Sequence, residues 1–313
     1  MKAIIINEFG ATDKLIFTEL PQPVIKDDEV LVKVHAISIN PVDVKTRAGK
    51  GMAGRLKDQM PIILGWDISG VVVTTGAAVA HFKEGDEVFG MVNFPGHGKA
   101  YAEYIAAPAA HLAKKPASIT HQQAAAATLA PLTALQVLRD KANLQPGQRV
   151  LVHAAAGGVG HFVVQMARHL GAYVIGTSSA ANKDFVLSLG ADEHIDYRNQ
   201  RFEEVVKDVD LVFDAVGGEL IGRSIAVVKP GGKIISIPSA VPAEVAAKAQ
   251  AAGVEAFFYL VQSNGRDMET LAGWLDKGIL RPYVNHYDFS QMAIAHQQQE
   301  TGSTRGKIVL TIA

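Results

Sequence analysis

Over the first 120 residues apolar positions alternate with polar ones in short runs. Ala3 to Ile6, Val30 to Ile39 (VLVKVHAISI), Ile68 to Thr74 and Glu87 to Met91 each read as strands. Gly and Pro separate them at short intervals, and that spacing predicts an irregular, mostly antiparallel barrel or sandwich. Thr120 followed three residues later by Gln123 is a capping box. It opens an Ala-rich helix, Ala124 to Leu138, that is interrupted near Pro131.

Beyond residue 148 the period changes. RVLVHA (149–154), YVIGT (173–177), DLVFDAV (210–216), KIISIP (233–238) and AFFYLV (256–261) are nearly continuous apolar strands. Amphipathic helices at 159–170, 181–189 and 219–228 link them, which predicts a parallel sheet covered on both faces. A helix (267–276), a strand (Val284 to Phe289), a helix near 291–299 and a last strand (Lys307 to Ile312) follow. These two strands have no βαβ partner in that reading. Their simplest place is the first, β-rich region, which makes that region discontinuous.

The loop AAAGGVG, 154–160, stands at the end of the strand 149–154. Set against G-x-G-x-x-G it offers Ala155, Gly157 and Gly160, with an extra Gly158. The next helix puts Val159, Phe162, Val163, Met166, Ala167 and Leu170 on one face, as a helix lying on a sheet requires. Its first N–H groups and partial positive charge then point at whatever the loop admits, and a pyrophosphate fits there. About twenty residues further on, where an NAD-binding chain offers Asp or Glu to the ribose, this chain has Thr177, Ser178 and Ser179, with Lys183 close by. Hydroxyls and an ammonium hold an added 2′-phosphate that a carboxylate repels, so the residues select NADP(H).

Composition narrows the chemistry. The 313 residues carry 30 Lys plus Arg against 31 Asp plus Glu, with no block of like charge, which argues against nucleic acid. No apolar run is long enough to span a bilayer, and the apolar stretch behind Met1 stops at Ile6, too short for a signal-peptide core. A cytoplasmic protein is expected. There are no cysteines, which removes disulfides, thiolate nucleophiles and every Cys-containing zinc site. Competing signatures are missing too: no Tyr-x-x-x-Lys pair, no G-x-S-x-G elbow, and in GSTRGK (302–307) one residue too few for a P-loop.

GQRVLVHAAAGGVGHFVVQMAR (147–168) resembles the signature of the quinone oxidoreductase and zeta-crystallin branch of the medium-chain dehydrogenase/reductase superfamily, which is zinc-independent. NPVDVKTRAG (40–49), LGWDISGVV (64–72), APLTALQVL (130–138), DAVGG (214–218) and RGKIVL (305–310) are similar to further family landmarks, in the family's order. The resemblance implies an α/β chain: a Rossmann doubly wound parallel sheet, 124–265, and a discontinuous GroES-like β-rich domain, 1–123 and 266–313. It implies Gly157, Gly158 and Val159 at the pyrophosphate, Ser178, Ser179, Lys183 and Tyr197 around the 2′-phosphate and adenine, and Thr133 and Val216 near the nicotinamide. Asn40 matches the asparagine of the family's cleft, which makes it a candidate catalytic residue together with Lys45. Five positions beyond it, where an aromatic residue is often found, stands Lys45, a candidate donor to a substrate oxygen.

Without zinc an alcohol substrate lacks its electrophile, whereas a quinone or an α,β-unsaturated carbonyl is already a hydride acceptor through conjugation. The expected function is therefore NADPH-dependent hydride transfer to a quinone. Reduction of the carbon–carbon double bond of an enone or enal is the close alternative, and a non-catalytic NADPH-binding sensor or structural protein is the alternative of another class. His153 and His161 read as packed residues rather than catalysts. Trp66 and Phe94 are open to two readings, stacking on a planar substrate or filling the core. AFFYLV, at the sheet edge, points to a homodimer.

Overall fold

A computed structural model describes residues 1–312, and it divides into two units, Thr133–Leu260 and a second made of Met1–Leu132 with Val261–Ala313. In the first unit six strands, β1 (Arg149–Val152), β2 (Tyr173–Ser178), β3 (Glu193–Asp196), β4 (Val209–Asp214), β5 (Val228–Ser236) and β6 (Glu255–Phe258), form one parallel sheet. Their order is 3-2-1-4-5-6, the doubly wound arrangement whose strand order reverses between β1 and β4. Helix α1 (Gly160–His169) follows β1 and buries Phe162, Val163, Met166 and Ala167, the face that the spacing predicts. Helix α2 (Lys183–Ser188) follows β2 and buries Val186.

In the discontinuous unit the eleven-residue strand Glu29–Ile39 is the spine of a seven-stranded sheet. It pairs antiparallel with Asp67–Thr75 and Tyr104–Pro108, and through residues 36–39 with Lys307–Thr311. The strand Val284–Asp288 then adds to Lys307–Thr311 in parallel. Helix Met292–Glu300 connects these two strands, so they make a βαβ connection of their own, which the alternating pattern did not predict. The expectation that they return to the N-terminal β-rich region holds.

Two other expectations shift. The Ala-rich helix is broken at Ala127 and Thr128, ahead of Pro131, into His121–Ala126 and Leu129–Leu135. Pro131 falls in the first turn of the second piece, where its missing N–H costs nothing. The predicted strand 256–261 ends at Phe258.

Candidate functional site

The carboxyl ends of β3, β2, β1 and β4 bring together most of the cofactor residues read from the sequence. Ala154, just past β1, takes a left-handed backbone (φ 54°) and its carbonyl accepts the Gly157 N–H at 2.9 Å. Where α1 crosses this turn, a Cβ on Gly160 would stand 2.1 Å from the Ala154 oxygen, so only glycine lets the helix start against the strand. Val159, the residue before the helix, carries no side-chain acceptor, so Gly157, Gly158 and Val159 leave the helix N-terminus open to an anion.

At the end of β2, Ser178 is buried and Ser179 is half-buried, its Oγ accepting from Asn182 Nδ2 at 3.2 Å. Lys183 is exposed as the first residue of α2. Tyr197, 58% exposed, follows β3, and its N–H donates to the Ser178 carbonyl at 3.2 Å, which fixes it beside the two serines. Val216, 53% exposed, lies past β4 on a turn shaped by Asp214, whose Oδ1 accepts the N–H groups of Val216 and Gly217 at 3.0 Å. Thr133 is buried on the helix Leu129–Leu135.

Strand β3 gives no signal in the sequence, because EHID offers a single strongly apolar residue, and His194 and Asp196 go unmarked with it. Asp196 pairs in register with Ser178. A carboxylate there is the feature that would favour an unphosphorylated ribose, but this one is engaged in its own turn, accepting from the Arg198 N–H at 3.2 Å and from Asn199 Nδ2 at 2.5 Å. The groups at the end of β2 itself are two serine hydroxyls and, one turn on, the Lys183 ammonium.

His153 and His161 are core residues. His153 lies between Thr177 Oγ1 (3.1 Å) and Ser224 Oγ (3.2 Å), and burial pushes it down to about 3, so it is neutral. His161 is fully buried with Nδ1 at 2.9 Å from the Gly157 carbonyl. Trp66 and Phe94 are buried edge to face at 5.3 Å, and Trp66 Nε1 donates to the Gly96 carbonyl, which settles both as core.

In the discontinuous unit Asn40 is 1% exposed and both ends of its amide are engaged. Nδ2 donates to Asp67 Oδ2 at 2.7 Å and Oδ1 accepts from Lys307 Nζ, while Lys307 stands 3.7 Å from Asp67. The Asn40 N–H donates to Asp43 Oδ2 at 2.7 Å. Tyr101 acts electrostatically on Asp43, and its hydroxyl lies 3.0 Å from His296 Nε2. Arg47 can only donate, so His296 Nδ1 accepts from it and Nε2 carries the hydrogen. Lys45 is exposed on the helix Pro41–Arg47.

Asp43 is fully buried, and its Oδ1 has no hydrogen-bond partner among the described residues. Burial, with the like charge of Asp67 second, pushes its carboxyl up to about 7. A carboxyl raised on folding contributes stability that is fully present below its unfolded pKa and is lost as pH rises through the folded value. Wild-type stability is therefore expected to fall between pH 4 and pH 8 relative to Asp43→Asn, which keeps an acceptor for the Asn40 N–H. Urea midpoints of the two proteins that stay parallel across this range would rule out the titration.

A profile described as alcohol dehydrogenase GroES-like domain matches residues 26–117, and one described as zinc-binding dehydrogenase matches residues 189–310. The chain is 35% identical to the 2-methylene-furan-3-one reductase of Solanum lycopersicum and 36% identical to the chloroplastic NADPH-dependent alkenal/one oxidoreductase of Arabidopsis thaliana. Each alignment covers 99% of this chain and 79% of the relative. The solved quinone oxidoreductase of Coxiella burnetii superposes with a TM-score of 0.95 at 38% identity, over 100% of this chain and 99% of that one. The chain belongs to the medium-chain dehydrogenase/reductase superfamily, in its zinc-independent quinone oxidoreductase branch. Among the described residues no group of three or more His, Cys, Asp or Glu is placed to hold a metal ion, and no helix is long and apolar enough to cross a membrane.

Proposed function

We propose that the protein is an NADPH-dependent reductase that passes hydride to a conjugated acceptor, a quinone in the first reading. The observation that carries it is the set of donors at the ends of β1 and β2: an open helix N-terminus, two serine hydroxyls and Lys183, with Asp196 held in its own turn. NADPH, when bound, supplies the hydride. The chain's part is to bind and orient: Gly157, Gly158 and Val159 receive the pyrophosphate, Ser178, Ser179, Lys183 and Tyr197 the 2′-phosphate and adenine, and Thr133 and Val216 flank the nicotinamide. Asn40 takes a positioning role, because its amide is spent inside the buried cluster. Lys45 is the candidate donor to a substrate oxygen.

The names of the two plant relatives favour the second reading, reduction of an enone or enal double bond. NADPH oxidation against a panel of quinones and enones decides between them. A protein that binds NADPH and turns over none of the panel is a sensor or structural protein, and the reductase reading falls.

Lys183→Ala is expected to weaken NADPH by about 10- to 100-fold, the worth of one charge-assisted hydrogen bond, and to leave NADH unchanged. Ser178→Asp should deepen that shift by repelling the phosphate. A wild type that prefers NADH in the same titrations removes the NADPH assignment. The edge strand β6 ends in the partly exposed Phe258 and has no neighbour beyond it in the sheet order, which supports a homodimer paired through β6. Sedimentation of a monomer at micromolar concentration would remove that arrangement.

A further inference from the structure

His194 lies on β3 with Nε2 2.8 Å from Ser178 Oγ, and Ser178 Oγ is also 3.2 Å from the Ser179 carbonyl. A serine hydroxyl has one hydrogen to give. In the protein alone two acceptors compete for it, the Ser179 oxygen and an unprotonated Nε2. A phosphate at the end of β2 would be a third and, carrying charge, the strongest. If the hydroxyl turns its hydrogen to a phosphate, its oxygen can only accept from His194, so Nε2 must then carry a hydrogen.

We infer that His194 is a positioning residue for recognition of a 2′-phosphate: its Nε2–H donates to Ser178 Oγ and so points the serine hydroxyl at the phosphate. This rests on the proposed NADPH reading, since it needs Ser178 to face that group. The strand register supplies the geometry. β3 runs parallel to β2 with His194 opposite Gly176 and Asp196 opposite Ser178, so the imidazole sits beside a residue without a side chain and reaches along β2 to the serine. Two charged groups act on the ring, Lys183 from α2 and Asp196 from β3 itself. Burial first, with Lys183 adding to it and Asp196 opposing, keeps the imidazole below its ordinary range. The phosphate selects a form of the ring that carries a hydrogen on Nε2.

The test is calorimetric and needs no turnover: adenosine 2′,5′-bisphosphate and adenosine 5′-monophosphate are titrated into the full chain. His194→Leu, which cannot donate, is expected to weaken the bisphosphate about five- to tenfold and to leave the monophosphate unchanged. His194→Gln, which restores an N–H donor, should recover affinity to within about twofold. In a Ser178→Ala background His194→Leu should cost nothing further, because the hydroxyl it directs is gone. Equal weakening of both probes by His194→Leu makes His194 a structural residue and overturns the inference. So does an unchanged bisphosphate affinity, a failed rescue by glutamine, or a full effect in the Ser178→Ala background. Failure of the underlying reading shows differently: wild type would then bind the bisphosphate no better than the monophosphate.

Discussion

Lys307→Met is expected to destabilise the protein by about 3–5 kcal/mol at neutral pH, the usual result of removing one partner from a buried ion pair. The side chain is 3% exposed in the salt bridge, Asp67 is fully buried, and the ammonium also donates to the Ile39 carbonyl at 3.1 Å and to Asn40 Oδ1. Methionine keeps most of the volume but leaves Asp67 without a counter-charge and Asn40 Oδ1 without a donor. Adding Asp67→Asn should return a large part of the loss, since asparagine offers an oxygen to the Leu129 N–H that Asp67 Oδ1 accepts at 3.2 Å. Urea midpoints of the wild type, the single variant and the double variant measure this. A single variant as stable as wild type would falsify the view that Lys307 compensates Asp67.

Gly160→Ala is the second large effect. The new Cβ would meet backbone, at 2.1 Å from the Ala154 oxygen and 2.9 Å from the Ala155 Cα, so no side chain can swing aside to make room. Either α1 moves off the turn or the turn opens, at a cost of about 1–3 kcal/mol or more. Because the same amides face the proposed pyrophosphate site, nucleotide binding should be lost even where the variant still folds. Gly222→Ala, on the helix Glu219–Ser224 and outside the nucleotide residues, is the control: its Cβ would meet only Val245 Cγ2, at 3.9 Å. Near-ultraviolet circular dichroism with NADPH titration separates the two variants, and equal binding by both would show that the close approach at Gly160 is unimportant.

What could be read from the residues was local. The strand Glu29–Ile39 announces itself through alternation, and the glycine loop through a spacing fixed by turn geometry and helix approach. The strand Glu193–Asp196 does not, and Tyr104–Pro108 is equally quiet, with two alanines and a proline, because pairing rather than side-chain pattern holds them in place. The site divides in the same way. Ser178 and Lys183 follow from their positions at and just beyond the end of β2, while His194 becomes visible only when β3 is laid beside it. The partners Asp67 and Lys307 are separated by well over two hundred residues, and no sequence period links a buried carboxylate to an ammonium at that range. Asn40 was legible as a residue of interest, but its engagement with both of them was not.

The return of Lys307–Thr311 to residues 36–39 sets a timetable for synthesis. Roughly 13–55 s separate these segments on the ribosome at about 5–20 residues per second. Through that interval the hydrogen-bonding edge of Ala36–Ile39 that Lys307–Thr311 will occupy waits without its strand. Thr133–Leu260, which is contiguous, is fully synthesised before then. The nascent chain thus carries an open apolar strand edge at Ala36–Ile39 until Lys307–Thr311 is made. That is the stretch over which a holding chaperone has something to bind and over which two nascent chains, close together on one message, can pair wrongly.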